Sequence, residues 1–414
     1  MILNTGLIIL ILAVVVGFYS AINIGANDVA NSMATSVASG VLTIKRAVMI
    51  AALFDVLGAV LVGAHVANTI RKGLVDPMHF VDFPNLFMLG MLAAVAGSAL
   101  WVNIATLLRL PVSTTHAIIG GVLGFGLVSV GASAINWTVV GYVVLSWIIS
   151  PVFGGVVSFF IFTSIKKYIL NSSEPIKKTK RLGPYFVGIV FFVLTSSIIF
   201  KGLKNLHLDL RFLEATLISL LVGLAGFVVS SVFIRKYREK DTDPYSQVEQ
   251  LASPLQVLAA CFKAFSHGAN DVANAIGPVA AIVAVIHTSQ VTQDVSIPLW
   301  LLLAGGVGLA VGAYVWGRGV METVGEKITV ITPTRGFSAE FGTAVTVLLC
   351  SRFGMPVSTT HVAVGNIIGV GLARGISAIN LTIIKKIFYA WVISVPAAGV
   401  FSVGLYFLFR LLFN

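Results

Sequence analysis

The sequence predicts an all-α integral membrane protein of about twelve transmembrane or re-entrant helices, arranged as two inverted-topology repeats with two helical hairpins. Three observations predict it: an apolar composition, a series of apolar stretches of membrane-crossing length, and self-similarity at a spacing of about 244 residues. Of the 414 residues, 57% are hydrophobic and 10% charged, and the mean hydropathy is +0.98. Soluble chains carry roughly a quarter of their residues as Asp, Glu, Lys and Arg. So few charges cannot wet the surface of a body this size, which excludes a water-soluble fold.

Apolar stretches near the ~20 residues needed to cross ~30 Å of hydrocarbon fall at 5–39, 45–67, 86–108, 112–131, 138–165, 184–200, 212–234, 254–287, 298–317, 337–351, 356–373 and 386–412. The first has no Lys or Arg before Lys45, so it lacks the basic start of a cleaved signal peptide and is expected to remain in the protein. The stretches beginning at Pro111 and Pro356 are Gly-rich and polar at their starts, as half-helices of re-entrant hairpins are. Residues 86–131 and 337–373 are therefore read as hairpins. Between the fifth and sixth stretches, 166–183 holds Lys166, Lys167, Lys177, Lys178, Lys180 and Arg181 against Glu174, which places it in the cytoplasm. Arg235, Lys236, Arg238 and Lys240 return to that side two spans later. Counting outward from these segments puts both termini outside a multi-pass protein of the plasma membrane.

The net charge is +11, but the basic residues flank apolar stretches and form no basic-aromatic stripe, so nucleic acid is excluded as a partner. Cys261 and Cys350 both lie in apolar runs, which offers neither a disulfide framework nor a CxxC metal site.

The repeat organises the chain. GANDVANS at Gly25–Ser32 recurs as GANDVANA at Gly268–Ala275; PVSTTH at Pro111–His116 recurs at Pro356–His361; Ile135-Asn136 with Trp147 recurs as Ile379-Asn380 with Trp391. Residues 1–165 and 251–414 form the two halves, and 166–250 is a basic connector with two extra helices. Full spans at 45–67, 138–165, 184–200 and 212–234 separate the two GAND copies, an even number of crossings, so the second copy runs opposite to the first. Inverted repeats place a binding site at mid-membrane between them.

Each GAND copy sets a carboxylate and amides inside an apolar helix: Asn27, Asp28 and Asn31, then Asn270, Asp271 and Asn274. Such oxygens suit Na⁺ or a hard divalent ion, and an Asp in hydrocarbon costs several kcal/mol unless paired or functional. Gly25 and Gly268 would permit local unwinding, with backbone carbonyls as further ligands. The plainer reading of a single copy is a helix cap. Ser113, Thr114, Thr115 and Ser358, Thr359, Thr360 bring hydroxyl donors to the start of a half-helix, where free N–H groups and the positive dipole end also point. That is an anion site without a cationic side chain. His116 and His361 are candidate proton carriers or structural hydrogen bonders. Asp55 and Glu340 are the remaining acids deep in apolar runs, open to a cation or coupling role or to pairing with a base. Gly-rich runs such as GGVLGFG lack the Lys-Ser/Thr of a nucleotide loop and read as close helix packing.

On the paired GANDVAN and PVSTTH motifs, the chain resembles the inorganic phosphate transporter (PiT) family over essentially its whole length. The resemblance implies a secondary transporter that imports phosphate with Na⁺ or H⁺. Ser113–Thr115 and Ser358–Thr360 would bind the phosphate, and Asn27, Asp28, Asn270 and Asp271 would bind or neighbour sodium. Asp55 and Glu340 match important acids of eukaryotic relatives, the first being Glu there. Expected partners are inorganic phosphate, sodium ions and the lipid bilayer, with a homodimer as a further candidate. The rivals are H⁺-coupled uptake of a metal-phosphate complex and, in another class, an intramembrane hydrolase using Asp28 and Asp271. Flanking amides and no nucleophile-base pair weigh against the hydrolase.

Overall fold

The structure is a computed structural model that describes residues 2–202, 210–239, 242–291, 297–326, 328–352 and 357–413. Among these, thirteen α-helices follow in order: α1 (Ile2–Ala38), α2 (Ile44–Gly73), α3 (Pro84–Leu107), α4 (Thr114–Ser129), α5 (Trp137–Ile165), α6 (Pro175–Ser197), α7 (Phe212–Arg235), α8 (Pro244–Thr288), α9 (Leu299–Trp316), α10 (Arg318–Glu326), α11 (Pro333–Arg352), α12 (Thr359–Arg374) and α13 (Leu381–Phe413). Nine of the described helices are long and apolar enough to cross a membrane. The protein is a multi-pass, all-α membrane protein.

The repeated residues of the sequence do matched local work. Asn136 and Asn380 accept from the N–H groups of Val139 and Ile383, 3.2 and 3.3 Å away, and so cap α5 and α13. The turns before them need a positive φ, which Gly131 (85°) and Gly375 (120°) provide. Packing then exchanges elements between halves: α1 lies on α9, α2 on α8, the α3–α4 pair on α13, and α11 with α12 on α5. Glycines four residues apart allow these contacts, as expected from the Gly-rich runs. Gly120 and Gly124 of α4 meet the backbones of Val395 and Gly399 on α13, while Gly365 and Gly369 of α12 meet those of Pro151 and Gly155 on α5.

Three expectations need correction, and a fourth segment is described with them. The GAND segments are not unwound: α1 and α8 run straight through them. Gly25 and Gly268 act instead as close-packing positions, against the backbones of Leu309 and Asp55. The first half-helix starts at Thr114 and not at Pro111, because the Ser113 side chain caps it; Pro356 lies outside the described residues. The basic segment 166–183 is largely helical. α5 continues into a π turn over Lys166–Leu170, and α6 already begins at Pro175. This helicity agrees with a connector that carries extra helices. Finally, α8 is 45 residues long, about 68 Å, beginning ten residues before the apolar stretch read at 254.

Candidate functional site

The two GAND helices bring Asp28 and Asp271 together deep in the protein, both fully buried. Each carboxylate is gripped in the same way. One turn along its own helix an amide donates to it: Asn31 Nδ2 to Asp28 Oδ1 at 2.8 Å, and Asn274 Nδ2 to Asp271 Oδ1 at 3.2 Å. From the hairpin of its own half a threonine donates: Thr114 Oγ1 to Asp28 Oδ2 and Thr359 Oγ1 to Asp271 Oδ2, both 2.8 Å. Asn270 Nδ2 adds a contact of 3.0 Å to Asp271 Oδ1.

The amides also reach across the halves. Asn31 donates to Thr360 Oγ1 at 2.8 Å, and Asn274 to Thr114 and Thr115 Oγ1, each at 3.3 Å. Thr360 in turn donates to the Val112 carbonyl at 3.1 Å. The first turns of α4 and α12 therefore meet at one place, with all four motif copies around it. Asn27 has a different task from Asn31. It donates to Thr106 Oγ1 (3.0 Å) and the Leu110 carbonyl (2.9 Å) and accepts from Val112 N–H (3.1 Å), which clamps the turn between α3 and α4. Arg109 takes a left-handed φ of 58° in that turn.

Ser113 and Ser358 cap their helices by accepting from His116 and His361 N–H at 3.1 and 3.3 Å. Each serine still has its own O–H to donate, and the earlier N–H groups of each first turn have no helical acceptor. Behind the tips, His116 and His361 lie edge to face with ring centroids 4.3 Å apart. Trp147 and Trp391 stack on them at 3.6 Å each, and Trp391 Nε1 donates to the Pro111 carbonyl. These two histidines are held in an aromatic stack and make no contact with the carboxylates among the described bonds.

His267, one turn before Asp271 on α8, joins the two acids. Its Nε2 lies 3.6 Å from Asp28 Oδ2 and 3.3 Å from Asp271 Oδ2, and its Nδ1 lies 2.8 Å from Asp55 Oδ1. Asp55 on α2 thus holds the ring by one nitrogen and aims the other at the two carboxylates. As an imidazolium the ring carries a compensating charge; as a neutral ring with its proton on Nδ1 it turns a lone pair toward them. Among the described residues Asp28, His267 and Asp271 could hold a metal ion. Among the described residues the carboxamide oxygens Asn31 Oδ1 and Asn274 Oδ1 are buried without a hydrogen-bond partner, a matched pair of acceptors that a cation would satisfy. Glu340 on α11 stands apart from this centre, accepting from Thr35 and, at 2.8 Å, Ser36 near the end of α1.

This arrangement offers carboxylates and amide oxygens for cations beside hydroxyls and helix N-termini for an anion. The model of the phosphate transporter family matches residues 24–402. The chain belongs to the phosphate transporter family. It is 43% identical to a protein of Haemophilus influenzae named as a phosphate permease, over 97% of this chain and 96% of that one. It is 45% identical to one of Pyrococcus furiosus, over 95% and 94%. Its fold matches a solved structure, "The sodium-dependent phosphate transporter", with TM-score 0.90 and 43% identity, covering 97% of this chain and 99% of that one.

The transporter is thus no hydrolase. Sequence reasoning placed the four motifs but passed over His267, although its position four residues before Asp271 puts it on the same helix face. The position matching it in the first half is Ile24, and Asp55 is matched by Leu309, since Gly58 and Gly312 pack on the backbones of Phe265 and Ile22 in the same manner. The His267–Asp55 pair therefore belongs to one half-pair of helices, and repeat comparison alone could not reveal it.

Proposed function

We propose that this transporter imports inorganic phosphate across the plasma membrane together with sodium ions, the sodium gradient driving uptake. The observation that carries the reading is that Thr114 and Thr359, donors suited to phosphate, are both engaged by the carboxylates suited to sodium. A cation drawn to Asp28 and Asp271, with Asn31 and Asn274 Oδ1 as further ligands, competes for the oxygens that accept those hydroxyls. Thr114 and Thr359 are then released toward a phosphate between the hairpin tips, joined by Ser113, Thr115, Ser358 and Thr360. Asn27 and Asn270 neighbour the cations, Asn27 by holding the hairpin turn in place. Bound side by side in a dry site, cation and anion each lower the cost of desolvating the other, and linkage makes their affinities mutually dependent. The test is radiolabelled phosphate uptake into proteoliposomes with Na⁺ and pH gradients imposed separately. A sodium gradient alone is expected to drive accumulation; uptake driven only by protons overturns the sodium assignment.

One observation favours a second reading, H⁺-coupled transport of a metal-phosphate complex. His267 Nε2 adds nitrogen to the two carboxylates, a donor set closer to a divalent transition metal than to sodium. Uptake in sodium-free buffer that requires a divalent cation would select it.

If the two hairpin tips share one phosphate, Thr114→Ala or Thr359→Ala is expected to weaken phosphate binding by ~1–3 kcal/mol, the cost of losing a hydrogen bond to a charged group. Because both contact one ligand, the double variant is expected to lose less than the sum. Calorimetric titration of phosphate measures this, and normal affinity in both single variants would remove the shared site.

The same proposal sets the halves, 1–165 and 251–414, in inverted orientation, with both termini and 201–211 outside and 166–183 and 235–250 inside. Ser173→Cys and Asn205→Cys, each in a background lacking Cys261 and Cys350, are expected to react with impermeant maleimide from opposite faces; position 205 lies outside the described residues. Labelling from one face would overturn the arrangement.

A further inference from the structure

α6 and α7 lie in the chain between the two sets of repeated motifs. α7 packs along α6 and stands off from α8. Between this hairpin and α8 lies a cavity of about 960 Å³ that opens to the outside of the protein. Its walls are almost wholly apolar: Val222, Val229 and Phe233 of α7 line one side, and Leu251, Leu255 and Leu258 of α8 line another. The cavity runs from Thr179 to Phe191 along α6 and from Val222 to Ile234 along α7, about 18 Å of helix in each case. That is close to half of the ~30 Å hydrocarbon core, the depth of one leaflet.

Polar groups gather at one end of it, where α7 finishes and α8 begins. Lys236, Tyr237 and Gln250 line that end, with the Tyr237 hydroxyl 3.5 Å from Gln250 Oε1. Ser230, deeper along α7, spends its hydroxyl on the Phe227 carbonyl at 3.0 Å. Two acids near the polar end are engaged: Glu239 holds Lys180 at 2.9 Å, and Glu249 accepts from Thr332 and Thr334 at 2.8 Å each. Arg235, Lys236 and Arg238 form no ion pair among the described residues. A smaller cavity of about 550 Å³ beside the first shares Ile169 and Phe186 with it and adds Lys178 and Arg181, which flank Thr179 in the chain. The polar end is therefore positive.

Protein interiors hold few voids larger than a water molecule, and apolar walls exclude water, so a cavity of this size facing the hydrocarbon takes acyl chains. A basic pocket at the membrane surface selects a negative headgroup. We propose that the cavity binds an anionic phospholipid of the cytoplasmic leaflet, its acyl chains between α7 and α8 and its phosphate at Lys236, Tyr237 and Gln250. The lipid holds the α6–α7 hairpin to α8 along the stretch where the two stand apart. The leaflet follows from the orientation proposed above, which maleimide labelling tests on its own; lipid binding does not depend on which cation travels with phosphate.

The experiment titrates the purified full chain in detergent with phosphatidylglycerol or phosphatidylcholine, counts bound lipid by native mass spectrometry and records melting in parallel. Wild type is expected to bind its first phosphatidylglycerol more tightly than phosphatidylcholine and to melt at a higher temperature with it. Lys236→Gln is expected to lose about fivefold in affinity for phosphatidylglycerol, the effect of one basic residue near an anionic surface, and to keep its affinity for phosphatidylcholine. Lys386→Gln, an exposed charge on α13 that does not line the cavity, is expected to change neither. Ala225→Trp, which puts a ring into the cavity from α7, is expected to lose the first lipid of both kinds. Leu224→Trp, exposed on α7 but not lining the cavity, is expected to lose neither. Equal affinity of wild type for the two lipids overturns the proposal, as does unchanged preference in Lys236→Gln, a surface substitution that decides the matter even if Ala225→Trp does not fold. A wild-type dimer that Ala225→Trp converts to monomer with lipid binding unchanged assigns the cavity to a second copy of the chain and overturns the proposal too.

Discussion

Phosphate affinity measured in saturating sodium is expected to exceed that in its absence by about 5–150-fold in the wild type, the usual range of coupling between linked sites, and the ratio is expected to collapse toward one in Asp28→Asn or Asp271→Asn. Both acids sit inside continuous helices, so neither is a helix cap and the substitution tests charge alone. Asn is nearly isosteric and can still accept from Thr114 or Thr359 through its carbonyl oxygen. What it lacks is the negative charge that offsets a cation in a dry interior. Sodium affinity falls, and by linkage its effect on phosphate falls with it. Calorimetric phosphate titrations across a sodium series measure both. Unchanged sodium dependence in both variants would move the cation site to Asp55 and Glu340.

Gly268→Ala is expected to be among the most damaging single methyl additions, while Gly404→Ala is expected to be benign. A Cβ at Gly268 meets the backbone of Asp55, which has no flexible end to swing aside; at Gly404 nothing lies within 4 Å. The first substitution pushes α8 away from α2 and separates His267 from Asp55, now 2.8 Å apart. Overpacking of this kind costs ~1–3 kcal/mol and occasionally more, and it swings the imidazole away from Asp28 and Asp271, so phosphate binding is expected to fall with stability. Gly404→Ala removes only the flexibility of a helical glycine and is expected to be neutral or stabilising by up to ~1 kcal/mol. Thermal unfolding of both variants beside the wild type checks this; equal melting temperatures would show that the α2–α8 contact is looser than the structure has it.

Membrane class, the approximate spans and the chemistry of the two motifs were legible in the sequence, because each is a local property. A run of apolar residues is insoluble wherever it lies, an intramembrane Asp needs compensation in any fold, and a serine followed by helix-forming residues caps a helix. Exact repetition then paired distant motifs without any knowledge of contacts. The tertiary structure alone decided which side chains meet. Asn31 reaches Thr360, 329 residues away, and Asn274 reaches Thr115, 159 away. His267 and Asp55 lie 212 apart, and neither matches an ionisable residue in the other half. Asn27 and Asn31 look equivalent by helical spacing, yet one clamps a hairpin turn and the other serves a carboxylate. Even the glycines changed meaning: spacing and type suggested an unwound helix, whereas the nearness of Leu309 and Asp55 makes them the points where two helices touch. Contacts of this kind depend on how helices distant in the chain lean on one another, and no local pattern of residues encodes that distance.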